Sequence, residues 1–349
     1  MKRLAASIVC VTFAALGLAF LNWSKPRPQL DAQEPVRAVA TEDRSKPVAE
    51  VAGQNGQRAD EAPPEFYVED VIKILTSATD EMIEKKISKT AVELHEELDR
   101  AQVTLELPKP STIPLTSQEL YRRATESVFL VAGLTRPSGD ETVWQTSFST
   151  AFVVHEDGIL STSAHVFDHD DHDDAVVVMD VRGKVYPVLE ILAANRTGDT
   201  CLFRIGKKGL KPLALGPAAH PGSQISVIGH PGDSFFYFSA GHVANYERDE
   251  NGLLWLNVTA DFGQGSSGGP VMDGAGNVVG QVSRTYTLYA GGDASNRRRH
   301  PTKVRQAADL HPDDEPAESD ENATVKKHAD PQMVFKACTP VSAIRALAN

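Results

Sequence analysis

The stretch "DFGQGSSGGP", Asp261 to Pro270, sets two adjacent serines among glycines. A serine hydroxyl attacks a carbonyl carbon efficiently when a base takes its proton, a further group orients that base, and N–H donors meet the oxygen that becomes negative. Glycines beside the serine serve the last need, because the backbone can turn until consecutive N–H groups converge with no side chain in the way. Ser267 directly precedes Gly268, Gly269 and Pro270, which favours it over Ser266 as the nucleophile. The same letters satisfy G-x-S-x-G, a strand-to-helix nucleophile turn in which the catalytic histidine follows the serine. After Ser267 the histidines are His300, His311 and His328, all in a charged low-complexity stretch. The better base is His165, upstream in "LSTSAHV", where an apolar run gives way to a polar loop. Chain order thus counts against an esterase built on that turn.

The elements that must position these residues are short runs of Val, Ile, Phe and Thr separated by turn signals, beginning near Leu120: "SVFLVAG", "SFSTAFVVHEDGILSTSAHV", "AVVVMDVRGKVYPV", "DTCLFRI", "QISVIGHPG", "LLWLNVTA" and "GNVVGQVS". Such spacing predicts an all-β sandwich or a pair of barrels, with no helical crossovers for a doubly wound sheet. Asp157-Gly158 and the Arg182-Gly183 neighbourhood are hairpin turns in this reading. The last piece, "PQMVFKACTPVSAIRALAN", reads as one more strand and a short terminal helix.

In this order, four segments resemble the trypsin-like serine proteases of the chymotrypsin fold, nearest their HtrA/Deg branch. They are the histidine segment "STAFVVHEDGILSTSAHV", the aspartate segment "GDTCLFRI", the loop "VIGHPGD" and the serine segment "GQGSSGGPVMDGAGNVVGQVS". The resemblance covers roughly residues 120 to 290 and 331 to 349. It implies two antiparallel six-stranded barrels with a cleft between them. It also implies His165 as general base, Asp199 as its orienting carboxylate and Ser267 as nucleophile, with the N–H groups of Gly265 and Ser267 as the oxyanion hole. Asp199 lies between the turn "NRTG" and an apolar run, at a strand entrance with limited solvent; Asp168, Asp174 and Asp180 are weaker candidates. Ser266 departs from the Asp or Asn usual before the nucleophile, so activation by an ion pair to a freed N-terminus is not expected. The PDZ module that often follows the protease in this branch has no counterpart here.

Asp261 falls where trypsin-like enzymes hold the carboxylate that pairs with a basic P1 side chain. A backbone-bonded structural aspartate is the competing expectation. Gln281, Val282, Ser283 and Arg284 form a candidate substrate edge strand, to which an extended peptide would add by β-augmentation. The expected function is a serine endopeptidase acting on exported or unfolded polypeptides through an acyl-enzyme. A catalytically silent peptide-binding chaperone or scaffold is the alternative. No metal or organic cofactor is expected: the run "DHDDHDD" at Asp168 to Asp174 lacks the ordered spacing and turn glycine of a calcium loop and reads as a solvated surface.

Around this domain, residues 1–24 carry Lys2 and Arg3, an apolar run from Leu4 to Leu21 and Trp23, and read as a signal peptide or signal anchor. An uncleaved segment would tether the chain to the inner membrane on its extracytoplasmic, periplasmic side. Residues 25–64 are a Pro-, Ala- and Glu-rich tether, 65–108 an amphipathic helical segment, and 115–349 the protease domain with a low-complexity insertion at 291–330. From Val68 to Leu98 apolar residues recur every three to five positions. That stripe must pack on its own domain or on a sister helix of a homo-oligomer. The net charge of -12 argues against nucleic acid. Beyond Cys10 only Cys201 and Cys338 remain, read as buried free thiols rather than a disulfide.

Overall fold

The computed structural model describes residues 65–136, 144–168, 174–289 and 331–348. The expected signal segment at 1–24, the expected tether at 25–64, most of the aspartate-rich loop and the stretch at 291–330 lie outside the described residues. Among the described residues, no helix is long and apolar enough to cross a membrane.

Twelve strands close into two antiparallel barrels. The first contains β1 (Val128–Thr135), β2 (Gln145–His155), β3 (Ile159–Thr162), β4 (Ala175–Met179), β5 (Val185–Asn195) and β6 (Thr200–Ile205), ordered β1-β2-β3-β6-β5-β4. The second contains β7 (Gln224–Gly229), β8 (Tyr237–Arg248), β9 (Leu254–Val258), β10 (Pro270–Met272), β11 (Val278–Tyr289) and β12 (Pro331–Pro340), ordered β10-β11-β12-β9-β8-β7. Small barrels of this kind are filled by their inward side chains. Phe129, Val131, Phe167, Ile191 and Phe203 fill the first, and Ile225, Leu256, Phe262 and Val282 the second. A third cluster, including Phe152 and Leu202 from one barrel and Ile228 and Met272 from the other, cements the two together with Ile344 and Leu347 of the terminal helix α4 (Val341–Leu347). Cys201 and Cys338 are buried free thiols on β6 and β12.

The helical segment differs from the single helix that its periodicity predicts. It forms α1 (Val68–Glu84) and a one-turn α2 (Ala91–His95). Between them Lys86 takes a left-handed backbone, φ 56°, and Thr90 starts α2 with a capping box closed by Glu93. Both helices dock on the first barrel. Val71, Leu75 and Met82 of α1 pack against Leu130, Ala132, Leu134 and Val177, while Leu94 and Leu98 enter the barrel's own core cluster. This explains why "VFLVAG" is apolar at every position: β1 is buried on its barrel face and under α1 as well. Of the predicted stripe, Leu75 and Met82 are covered by the chain's own β1 and β4 and Ala91, Leu94 and Leu98 by the first-barrel core, while Ile87 stays exposed. Residues 99–116 then run as a strap. The Val103 N–H donates to the Leu347 carbonyl at 2.8 Å, and Asn277 pairs with both backbone groups of Ser111. Leu94→Ala, which empties a fully buried site, is expected to destabilise the whole domain by about 2–5 kcal/mol in a single cooperative transition. Urea denaturation followed by tryptophan fluorescence measures it.

Candidate active site

His165 sits on a 3-10 turn, Ala164–Val166, directly after β3. The polar run before it is buried, and each hydroxyl has a partner. Ser161 donates to Gln281 Oε1 at 2.6 Å, Thr162 to the Thr150 carbonyl at 2.7 Å and Ser163 to the Val282 carbonyl at 3.0 Å. Two of these bonds cross from the first barrel to β11 of the second, so the histidine stands at the seam between barrels.

Asp199 closes the turn before β6 with a left-handed backbone, φ 50°. Its carboxylate receives three donors: the His165 backbone N–H at 3.1 Å, His165 Nδ1 at 2.9 Å, and the Ser283 hydroxyl. The Asp199 side chain is 12% exposed and that of His165 49%, a buried carboxylate holding an imidazole whose far edge meets solvent. Burial works against the charged imidazole, but the bond to Asp199 and its charge outweigh this and hold the His165 pKa above the ordinary value of 6.5. For Asp199 burial likewise opposes the charge, and the His165 and Ser283 bonds outweigh it, so its pKa lies below the usual range.

Ser267 shares a cleft of about 250 Å³ with His165, bordered by Ser147, Phe148, Gln264 and Gly265. Its hydroxyl donates to the Ser283 carbonyl at 3.3 Å rather than to the imidazole. Ser283 thus touches both ends of the constellation, a role that nothing local in "GQVSR" signals. The loop that carries Ser267 depends on glycine at two points. A Cβ on Gly268 (φ 86°) would lie 2.1 Å from the Thr150 carbonyl oxygen, and one on Gly265 (φ 92°) 2.2 Å from that of His230. Along the loop the N–H of Ser266 donates to Gly263, that of Gly268 to Val282 and that of Gly269 to Ser266. Those of Gly265 and Ser267 have no partner among the described residues.

The specificity candidates fare differently. Asp261 is exposed and lies outside the lining of this cleft, with its carbonyl accepting from the Ser239 hydroxyl at 2.5 Å. Gln281 and Val282 are buried. Gln281 is paired with Pro270 on one side and Thr339 on the other, so neither backbone edge is open to a peptide. These residues close the barrel. From Thr285 to Tyr289, just past Arg284, β11 pairs with β12 alone among the described residues. There the Arg284 guanidinium stacks 3.7 Å over the Trp255 ring.

Two closed antiparallel six-stranded barrels with this constellation at their seam are the chymotrypsin fold, and residues 149–280 match the trypsin-like peptidase domain. The matched range takes in His165, Asp199 and Ser267 and stops before Ser283. The chain is 28% identical over 160 residues to a probable periplasmic serine endoprotease DegP-like of Pseudomonas fluorescens, covering 44% of this chain and 33% of that protein. It is 29% identical over 153 residues to protease Do-like 2, chloroplastic, of Arabidopsis thaliana, covering 40% and 24%. It is 30% identical over 141 residues to serine protease HTRA1 of Xenopus laevis, covering 38% and 30%. The chain thus spans a third or less of the length of these relatives.

Proposed function

We propose that the chain is a serine endopeptidase in which Ser267 is the nucleophile, His165 the general base and Asp199 the carboxylate that orients it. The observation that carries this reading is the Asp199 carboxylate bonded at once to His165 Nδ1 and to Ser283, with the Ser267 hydroxyl on the same cleft. With its Nδ1–H held by Asp199, the imidazole presents Nε2 to the cleft as the base. The hydroxyl swings from the Ser283 carbonyl to that nitrogen as the substrate carbonyl arrives, a tightening common in sites without ligand. The proton passes to His165, the Oγ–C bond forms, and the oxyanion is met by the N–H groups of Gly265 and Ser267. His165 then protonates the leaving amine, and water repeats the sequence on the acyl-enzyme.

Substrates are polypeptides in extended form. Main-chain bonds to β11 from Thr285 onward would hold the segment that precedes the scissile bond. The apolar run at residues 4–21 and the periplasmic naming of the Pseudomonas relative favour an exported location. A second reading has one observation behind it. The Ser267 hydroxyl faces a carbonyl rather than the base, as it would in a scaffold that binds peptides without cleaving them. A fluorophosphonate probe decides between them. Covalent labelling of the full chain that is lost in Ser267→Ala supports the peptidase, whereas binding of unfolded polypeptide without labelling supports the scaffold.

A further inference from the structure

Thr150 and His230 form a buried junction behind the nucleophile loop. His230 is fully buried just after β7 of the second barrel, while Thr150 is fully buried on β2 of the first. Three groups converge on Thr150 Oγ1: the Gly265 carbonyl at 2.8 Å, His230 Nδ1 at 2.9 Å and the His230 backbone N–H at 3.2 Å. A hydroxyl has one hydrogen and two lone pairs. The carbonyl only accepts, so the hydrogen goes to Gly265. The backbone N–H only donates, so it takes one lone pair. Nδ1 must then donate to the other, which fixes His230 as the neutral Nδ1–H tautomer. Its Nε2 is buried without a hydrogen-bond partner among the described residues, and its ring packs edge-on against Phe236 at 4.7 Å. Burial pushes the His230 pKa down to about 3, so the ring stays neutral at working pH.

The peptides on both sides of Gly265 are held, one by the loop that follows His230 and one by the Thr150 hydroxyl. The preceding carbonyl, of Gln264, accepts the Gly232 N–H at 2.8 Å, two residues past His230. The following carbonyl, of Gly265 itself, accepts the Thr150 hydroxyl. In a trans peptide the N–H points opposite to the carbonyl. The Gly265 N–H is therefore held on the side away from Gly232, and its residue borders the cleft shared with Ser267. The Thr150 N–H also donates to the Ser267 carbonyl at 2.9 Å. Thr150 thus grips the loop on both sides of Ser266.

We infer that Thr150 and His230 are positioning residues that hold the Gly265 N–H toward the oxyanion across the barrel seam. This rests on the serine peptidase reading above. Its test compares the full chain with Thr150→Val, which keeps the shape and deletes the hydroxyl, and Thr150→Ser, which restores it. With a peptide substrate, Thr150→Val is expected to lower kcat about 10- to 100-fold, less than the roughly 100- to 1000-fold for outright loss of an oxyanion donor because the N–H is misdirected rather than removed, and to leave KM nearly unchanged. Thr150→Ser is expected to recover most of that loss. Nitrogen NMR of histidine-labelled wild type reads the junction without catalysis, and the Nδ1–H tautomer at His230 is the expected result. A kcat for Thr150→Val within about threefold of wild type, a loss that Thr150→Ser does not repair, or an Nε2–H tautomer at His230 would each overturn the inference. Wild type with no Ser267-dependent turnover would instead sink the peptidase reading and with it the catalytic role, while the tautomer still decides whether the junction is as described.

Discussion

Ser267→Ala is expected to reduce kcat for a cleavable peptide by about 10^6-fold while leaving the melting temperature close to that of wild type. The size follows from the division of labour at the site. In the proposed mechanism His165 and Asp199 contribute by raising the nucleophilicity of one hydroxyl, so removing that hydroxyl removes their contribution too. Stability should hardly change, because the hydroxyl makes only a 3.3 Å bond to the Ser283 carbonyl. A mutant that retains more than about 1% of the cleavage rate would mean that another group is the nucleophile. Active-site titration alongside a differential scan checks both halves.

Asp199→Asn is expected to lower kcat by about 10^4-fold, since an amide no longer fixes the imidazole in the Nδ1–H form. Its pH profile carries a second signature. The base must be neutral to accept the serine proton, so wild-type kcat/KM falls as pH drops through a His165 pKa held above 6.5. Without the carboxylate, burial and the charge of Arg284 both act to lower that pKa. The acid limb of the residual activity therefore moves to lower pH than in wild type. A limb that stays in place would show that Asp199 does not set the His165 proton affinity. Ser283→Ala, which removes one of the donors that hold Asp199 ionised, makes a useful companion.

The strands were legible because their turns and apolar runs are local signals. Gly158 and Gly183 mark the hairpins after β2 and β4, both with positive φ, and the apolar run at Val128 reflects burial on two faces. Pairing across the molecule was not legible. Ser283 bonds to Asp199 across 84 positions of sequence, and no nearby residue announces it. For the same reason Gln281 and Val282 read like an edge strand although β12 takes one side of both, and β10 and the Gly268–Gly269 segment take the other. The bulge between Val282 and Arg284 lies just past the last β10 pairing of β11, and a register shift of that kind has no signature in composition. The break in the helical segment was visible in principle. Thr90 followed by Glu93 is a helix start within a continuous periodicity, and the periodicity masked it. The segments "STS" and "GSSGGP" carried the site because each buried hydroxyl or glycine in them answers a local demand for a partner or for space.

The strap between α2 and α3 (Ser117–Ala124) and its bonds to Leu347 and Asn277 bear on how such a molecule survives among its own kind. Frayed ends are where a peptidase first seizes a chain. Here the last helix is stitched by Leu347 and Ala348 to an interior strap, so it cannot peel away without unfastening residues 103–105 as well.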